Sequence, residues 1–342
     1  MLAAMEICVC GAQVPFMSGG AELLLDNTVA ALRDAGHDVE LVRLPTAWDK
    51  TRIFDAAMAW RLVPLDVELV IATNFPSYFV RHPNKVVFLF HQHRAAYDLA
   101  GSDWSDFGDD QASRDAQRLL TQWDTVALGE ARRRFTISGV VSSRLARFNG
   151  LSSTPLYHPE PLADRLRPGP FGDYLFCPTR HEANKRPGLM VEALPHLDPA
   201  LSVRIAGRGS LTDSLIATAE GDGTRDRLDL PGFVTDDELV EHFAGALGVV
   251  YTPYDEDLGY VTLQAFRAGK PVITSADSGG TLEWVEDGVN GFVTDGSPEA
   301  IAEAANRLHA DRALAEKLGA AGRERVRDLS WDTVVSSLVG GS

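Results

Sequence analysis

The sequence predicts an α/β protein built as two doubly wound halves, each a parallel sheet flanked by helices. Short apolar runs alternate with amphipathic stretches of helical period from Ile7 onward, and the alternation starts again at Tyr174. Between the halves lie prolines at 159, 161, 168 and 170, the mark of a linker. The stretch from Leu247 to Ser275 reads as one whole strand, polar loop, helix and strand, the repeating unit of such a sheet. A chain of 342 residues is long enough for two domains of ordinary size.

In the first half, Ile7-Cys8-Val9-Cys10 is the first strand, with the two cysteines read as facing opposite ways. The loop Met17-Ser18-Gly19-Gly20-Ala21-Glu22 leads into an amphipathic helix ending near Ala35. Paired glycines let backbone approach a ligand at a helix start, although a Gly-Gly pair alone also suits an ordinary turn. Gly36-His37-Asp38 turns the chain into a strand from Val39 to Leu44. Further strands run from Asp66 to Ala72 and from Val86 to Phe90, the latter ending in His91-Gln92-His93-Arg94. Ligands of such sheets sit beyond the carboxyl ends of the strands, so His91, which follows its strand directly, faces the crevice. His93 reads as a capping or surface residue. The His-x-His spacing suits a metal, but no third ligand stands nearby in sequence. Residues 97–115 are rich in Asp and Ser and read as a flexible loop beside an acceptor. A helix from Gln117 to Arg134, a strand starting at Arg133, a short helix from Ser142 to Phe148 and a strand from Leu156 to Pro159 complete the half, with Asn149-Gly150 as a C-cap signal.

In the second half, Tyr174 to Cys177 is a strand, followed by a loop carrying Arg180 and Lys185. The guanidinium offers a planar fork for phosphate oxygens and the ammonium a compact charge. Arg186 reads as a surface residue. A helix from Leu189 to Leu194, a strand from Val203 to Ala206 ending in Gly207, and Leu228-Asp229-Leu230 before Pro231-Gly232-Phe233 come next. Thr235 caps a helix from Asp236 to Ala246 with an acidic first turn. After the acidic loop Asp255-Glu256-Asp257-Leu258-Gly259, a helix runs from Tyr260 to Ala268, Gly269 stops it, and Lys270 to Thr274 is the next strand. The free N–H groups at that helix start suit a diphosphate, and carboxylates beside them suit the hydroxyls of a sugar joined to it.

Glu256, with Gln264 eight positions on and Gly259, Ala265, Gly269, Pro271, Val272 and Ile273 around them, resembles the donor-site motif of retaining glycosyltransferases of family 4. The resemblance extends from Gly19 to about Trp331 and is strongest from Tyr174 to Val293. It implies the GT-B fold, two Rossmann-like domains facing a central cleft. Residues 1–165 would form the acceptor-side domain and 166–325 the donor-binding domain, with a helix in 326–342 crossing back to the first. Glu256 would contact the donor sugar, and His91 would lie beside it. Arg180 and Lys185 would hold the diphosphate and stabilise the charge that grows on it as the sugar leaves. Gln264 stands where the family has a second glutamate and would meet the ribose without a charge. Gly19, Gly20, Gly207, Phe233, Leu258, Gly259, Tyr260 and Val261 would line the donor site. The implied reaction moves a sugar from a UDP- or GDP-sugar to a hydroxyl of a glycan, lipid-linked or small-molecule acceptor, with retention and without metal or cofactor. A sugar phosphorylase, a sugar-nucleotide epimerase and a non-catalytic nucleotide-sugar-binding subunit are the other readings, the last kept open by Gln264. Asp255-Glu256-Asp257 also contains the Asp-x-Asp of metal-dependent glycosyltransferases, but Arg180 and Lys185 offer the neutralising charge instead.

Acidic residues number 48 against 32 basic ones, a net charge of −16, which argues against nonspecific nucleic-acid binding and strong attraction to anionic membranes. Three cysteines are too few for a disulfide framework and fit a reducing cytoplasm. No apolar run reaches the ~18 residues of a membrane span, and the first residues do not read as a signal peptide, so the expected place is the cytoplasm, including the periphery of a membrane.

Overall fold

The computed structural model describes residues 4–16, 19–46, 48–102 and 104–340, so Met17 and Ser18 of the glycine loop lie outside the described residues. In chain order the elements are β1 (Glu6–Gln13), α1 (Gly20–Asp34), β2 (Asp38–Pro45), α2 (Ile53–Arg61), β3 (Leu69–Ala72), β4 (Lys85–Leu89), α3 (Gln111–Gly129), β5 (Arg133–Thr136), α4 (Gly139–Asn149) and β6 (Thr154–Pro155). There follow β7 (Tyr174–Pro178), α5 (Gly188–Ala193), β8 (Ser202–Ala206), α6 (Thr212–Gly221), β9 (Leu228–Gly232), α7 (Asp236–Gly245) and β10 (Gly248–Val250). The chain ends with α8 (Tyr260–Arg267), β11 (Val272–Ser275), β12 (Gly291–Thr294), α9 (Pro298–Ala310), α10 (Arg312–Arg325) and α11 (Trp331–Val339). Two compact units result: Met1–His158 with Leu329–Ser342, and Pro159–Asp328.

The first unit holds a six-stranded sheet in the order β2-β1-β3-β4-β5-β6, with parallel pairing. β1, β3 and β4 are continuous apolar runs because helices cover both faces of the sheet. α1 turns Leu24, Leu25, Thr28, Val29 and Leu32 inward at helical spacing. α4 begins where Ser138 accepts from the Val141 N–H and ends at Gly150, which takes the left-handed conformation (φ 64°). α11 packs beside α1, and Arg133 donates to the carbonyls of Ser337 and Leu338 at 2.8 and 2.9 Å, satisfying groups that the end of a helix leaves open.

Several local expectations need correction. Cys8 and Cys10 share a face, as residues two apart in a strand must, and their sulfurs lie 3.8 Å apart. The polar stretch after residue 97 is folded inward: Tyr97 and Phe107 are buried, and Asp110 caps α3 by accepting from Ser113, so the helix starts at Gln111 rather than Gln117. His93 is buried rather than at the surface, stacked on Trp48 with centroids 5.6 Å apart and packed against Phe75 and Phe107. Burial pushes its pKa down to about 4. The strand expected over Leu156 to Pro159 is not formed: the residues that pair are Thr154–Pro155, just before it, and the Leu156 N–H adds one bond to the Thr136 carbonyl at 2.8 Å.

The second unit repeats the pattern, with the order β12-β11-β10-β7-β8-β9. Leu175, Val203, Ile205, Val250 and Ile273 supply the sheet side of its core, and Met190 and Leu308 lie among the residues that cover it. Thr235 and Glu238 form a capping box at the start of α7.

One buried acid in the first unit carries a pH-dependent stability. Asp124 accepts a hydrogen bond from the Tyr97 hydroxyl inside the core, and burial raises its pKa to about 7. The fold therefore favours its neutral form. The contribution is complete below the ordinary carboxyl range, about 4, and is lost as pH rises through about 7. Asp124→Asn should remove this loss, so the variant should gain more melting temperature relative to the parent at about pH 8 than at about pH 5. Thermal unfolding at the two pH values checks this; an equal effect at both would contradict the assignment.

Candidate donor-binding site in the second unit

The site is made where β7, β8 and β10 end. β7 lies between β10 and β8, so the loops that leave these strands are neighbours. Gly207 allows the closest approach: it sits at φ 133°, and a Cβ there would lie 2.1 Å from the Thr179 carbonyl oxygen. Only glycine lets the end of β8 pass against the loop that carries Arg180. The Arg180 side chain is exposed; the Ser210 hydrogen bonds hold the Glu182 pKa down and the nearby Arg180 charge adds to them, while at Tyr251, which burial raises, the same charge opposes the rise.

Past Arg180, a single 3-10 turn over Ala183–Lys185 presents Lys185, and Arg186 follows in the left-handed region at φ 49°. Arg186 is not the surface residue expected from sequence. It donates to the carbonyls of Thr252 and Pro253 at 2.7 and 3.0 Å and grips Asp277 with both terminal nitrogens at 2.6 and 2.8 Å. The Tyr254 N–H adds a bond to the Asn184 carbonyl at 2.8 Å. The lysine loop is thereby tied to the acidic loop that follows β10.

The acidic loop is clamped from its other side. Glu256 donates its N–H to Ser278 at 3.3 Å and accepts from Gly280 at 2.6 Å. Gly279 sits at φ 61°, and a Cβ there would lie 2.5 Å from the Glu256 carbonyl oxygen. With both loops held, Lys185 forms an ion pair with Glu256, and the Tyr251 hydroxyl donates to the same carboxylate oxygen at 3.0 Å. The two charged side chains are 15% and 20% exposed, so water screens the pair less than a surface pair. α8 starts immediately beyond, with Gly259 at its N-cap and no side-chain cap bond, and the positive end of a helix suits an anion. Leu258 is buried beneath this turn.

Gln264 lies one helical turn beyond Tyr260 and is 7% exposed. Its amide nitrogen donates to the Pro161 carbonyl at 3.2 Å. Arg267 pairs with the buried Glu160 at 2.7 Å, and Lys270 donates to the carbonyls of Gly169 and Pro170 at 3.0 and 2.9 Å. One flank of α8 and the turn after it is therefore a row of donors along residues 160–170.

Beside the clamp is a cavity of about 400 Å³, lined by His181, Gly207, Arg208, Thr212 and Leu230 among others. Phe233 stands 78% exposed, with the Arg208 guanidinium 5.9 Å from its ring centroid. The sequence reading missed His181, whose Nδ1 lies 2.9 Å from the Thr212 hydroxyl and whose pKa is lowered by burial. His91, Gly19 and Gly20 belong to the first unit. His91 follows β4 and bonds the Gln92 carbonyl through Nδ1 at 2.9 Å. Gly19 donates its N–H to Glu22 at 2.9 Å, and Gly20 opens α1. Among the described residues, no group of three or more His, Cys, Asp or Glu is arranged to hold a metal ion.

Residues 172–325 match the family described as glycosyl transferases group 1. A GDP-mannose-dependent alpha-(1-6)-phosphatidylinositol monomannoside mannosyltransferase of Mycobacterium tuberculosis is 34% identical over 230 residues, 59% of this chain and 59% of that protein. A D-inositol 3-phosphate glycosyltransferase of Streptomyces griseus is 32% identical over 166 residues, 45% of this chain and 35% of that protein. The matches thus span less than two thirds of either relative. Among solved structures, Anabaena Alr3699/HepE in complex with UDP and glucose superposes with a TM-score of 0.72 at 17% identity, covering 97% of this chain and 98% of that one. Sucrose-phosphate synthase from Thermosynechococcus elongatus gives 0.78 at 18% identity, covering 97% and 96%.

The linker contact makes Gln264 a donor that a carboxylate cannot replace. Gln264→Glu should leave the Pro161 carbonyl unpaired and place an anion against it, costing on the order of 1–3 kcal/mol. A lower melting temperature than the parent is the expected outcome; an unchanged or higher one would show that the amide bond carries no weight.

Proposed function

We propose, from the premise that residues 172–325 belong to glycosyl transferases group 1 and that the chain has the GT-B fold, that this protein is a retaining glycosyltransferase of family 4. It moves a sugar from a nucleoside diphosphate to an acceptor hydroxyl. The observation that supports this best is the meeting of Lys185 and Glu256, 71 residues apart, at the start of α8 and beside the exposed Arg180. Arg180, Lys185 and the α8 N–H groups are suited to a diphosphate, and Glu256 to the hydroxyls of the sugar it carries. Lys185 has three N–H donors, so it can serve a phosphate oxygen as well as Glu256. The Gly207 turn and Gly232, which precedes Phe233, line the cavity that would take the rest of the nucleotide, with Tyr260 and Val261 at the helix start.

As the bond to the sugar breaks, negative charge grows on the departing diphosphate, and fixed positive groups there lower the barrier. No side chain of the site stands out as a nucleophile. The leaving phosphate would take the acceptor's proton while the hydroxyl attacks from the same face. That route gives retention without metal. The first unit would supply the acceptor side, with His91 at a strand end and Gly19 and Gly20 at the start of α1. The relatives' names point to GDP-mannose as a donor and inositol-containing acceptors, and a solved neighbour was seen with UDP and glucose. No described helix is long and apolar enough to cross a membrane, and a cytoplasmic enzyme reaching a lipid-linked acceptor from the membrane periphery fits this reading.

A thermal-shift screen with UDP, GDP, ADP and TDP sugars should show one nucleotide raising the melting temperature, and that sugar nucleotide then serves as donor in transfer assays. Arg180→Ala and Lys185→Ala should each lower turnover by about 100- to 1000-fold without changing the unfolding transition. Full activity in both would overturn the phosphate assignment. Transfer should also persist in EDTA; loss that Mn or Mg restores would favour a metal held at Asp255-Glu256-Asp257.

A further inference from the structure

We infer that Tyr251 is a positioning residue that holds the Glu256 carboxylate in place when Lys185 turns to the donor diphosphate. This rests on the functional reading above. The Tyr251 hydroxyl donates to Glu256 Oε2 at 3.0 Å, the same oxygen that Lys185 approaches. The two donors differ in kind. Lys185 ends a flexible four-carbon stem on a loop, and in the proposed reaction it must also serve the phosphate. Tyr251 follows β10 directly and is only 4% exposed. Its N–H bonds the Ile273 carbonyl at 2.9 Å, and its own carbonyl accepts from the Thr274 hydroxyl at 2.7 Å, so its backbone is fixed to the neighbouring strand β11.

The ring lies under the start of α8, where a Cβ on Gly259 would come within 3.3 Å of it. Its surroundings are Glu256 above, Arg180 nearby on the loop after β7, and Cys177 on β7 itself. Burial, then the Glu256 charge, raises the phenol pKa well above its usual range, so the hydroxyl stays protonated and remains a donor. Both known bonds to the carboxylate reach Oε2, which leaves Oε1 for a sugar hydroxyl. When a diphosphate draws the ammonium away, the tyrosine bond is the one that keeps Oε1 aimed at the sugar. Without it, Glu256 would have a choice of rotamers at the moment the sugar must be held.

The test compares Tyr251→Phe with Glu256→Gln and the parent. Tyr251→Phe keeps the ring and removes only the hydroxyl. Turnover should fall by about tenfold, the loss expected for one hydrogen bond to a charged group. The affinity for the nucleoside diphosphate alone, and the melting temperature, should stay near the parent's. A merely structural tyrosine would instead weaken diphosphate binding and lower the melting temperature together with turnover. Parental turnover in Tyr251→Phe, with Glu256→Gln inactive, would overturn this proposal and leave the functional reading standing. Parental turnover in Glu256→Gln would overturn the role of Glu256 itself.

Discussion

The ion pair between Lys185 and Glu256 exists only if two loops are held at a set separation. Those loops leave adjacent parallel strands, β7 and β10, and parallel strands put loop starts side by side. Adjacency alone does not bring two particular side chains together. The bidentate grip of Arg186 on Asp277, with its bonds to Thr252 and Pro253, joins the lysine loop to the acidic loop. The glycine at 279 lets the acidic loop rest on the turn after β11. A positive and a negative group are thus brought together at the start of α8.

The same helix is bound at its flank to residues 160–170. Gln264, Arg267 and Lys270 lie at three-residue intervals, so they form a row along one side of α8 and the turn beyond it. The buried carboxylate of Glu160 is paired with Arg267 rather than left alone, which would be costly. Judged by charge alone, a glutamate at 264 looks like the better partner for a ribose. The amide nitrogen already serves Pro161, and that explains physically why a glutamine suits this place.

Parts of the fold escape a reading of the sequence for identifiable reasons. α10 is a polar helix with Gly319 in its middle, a poor helix former by propensity. The glycine is there because a Cβ would lie 2.0 Å from the Gly269 carbonyl oxygen. His93 looks like a surface residue in a polar run, yet an aromatic cluster of Trp48, Phe75 and Phe107 from three separate segments encloses it. The residues after 97 are polar enough to suggest a loose loop, but Tyr97 and Phe107 anchor them.

What the sequence by itself determined is whatever local pattern controls: the alternation of strand and helix, the caps at Thr235 and Gly150, the linker prolines, and the unit from Leu247 to Ser275. These depend on residues a few positions apart, and so they are legible in one dimension. The tertiary structure alone decided the partners of the charged and polar groups. Spacing set Arg180 beside Lys185 as a pair, whereas the fold sends Lys185 to Glu256 and leaves Arg180 exposed. Tyr251 drew no attention in sequence because it reads as the apolar end of a strand. Its hydroxyl gains a role only because the loop after it doubles back over the ring. Contacts of this kind join residues through the register of neighbouring strands, a quantity that no spacing along the chain contains.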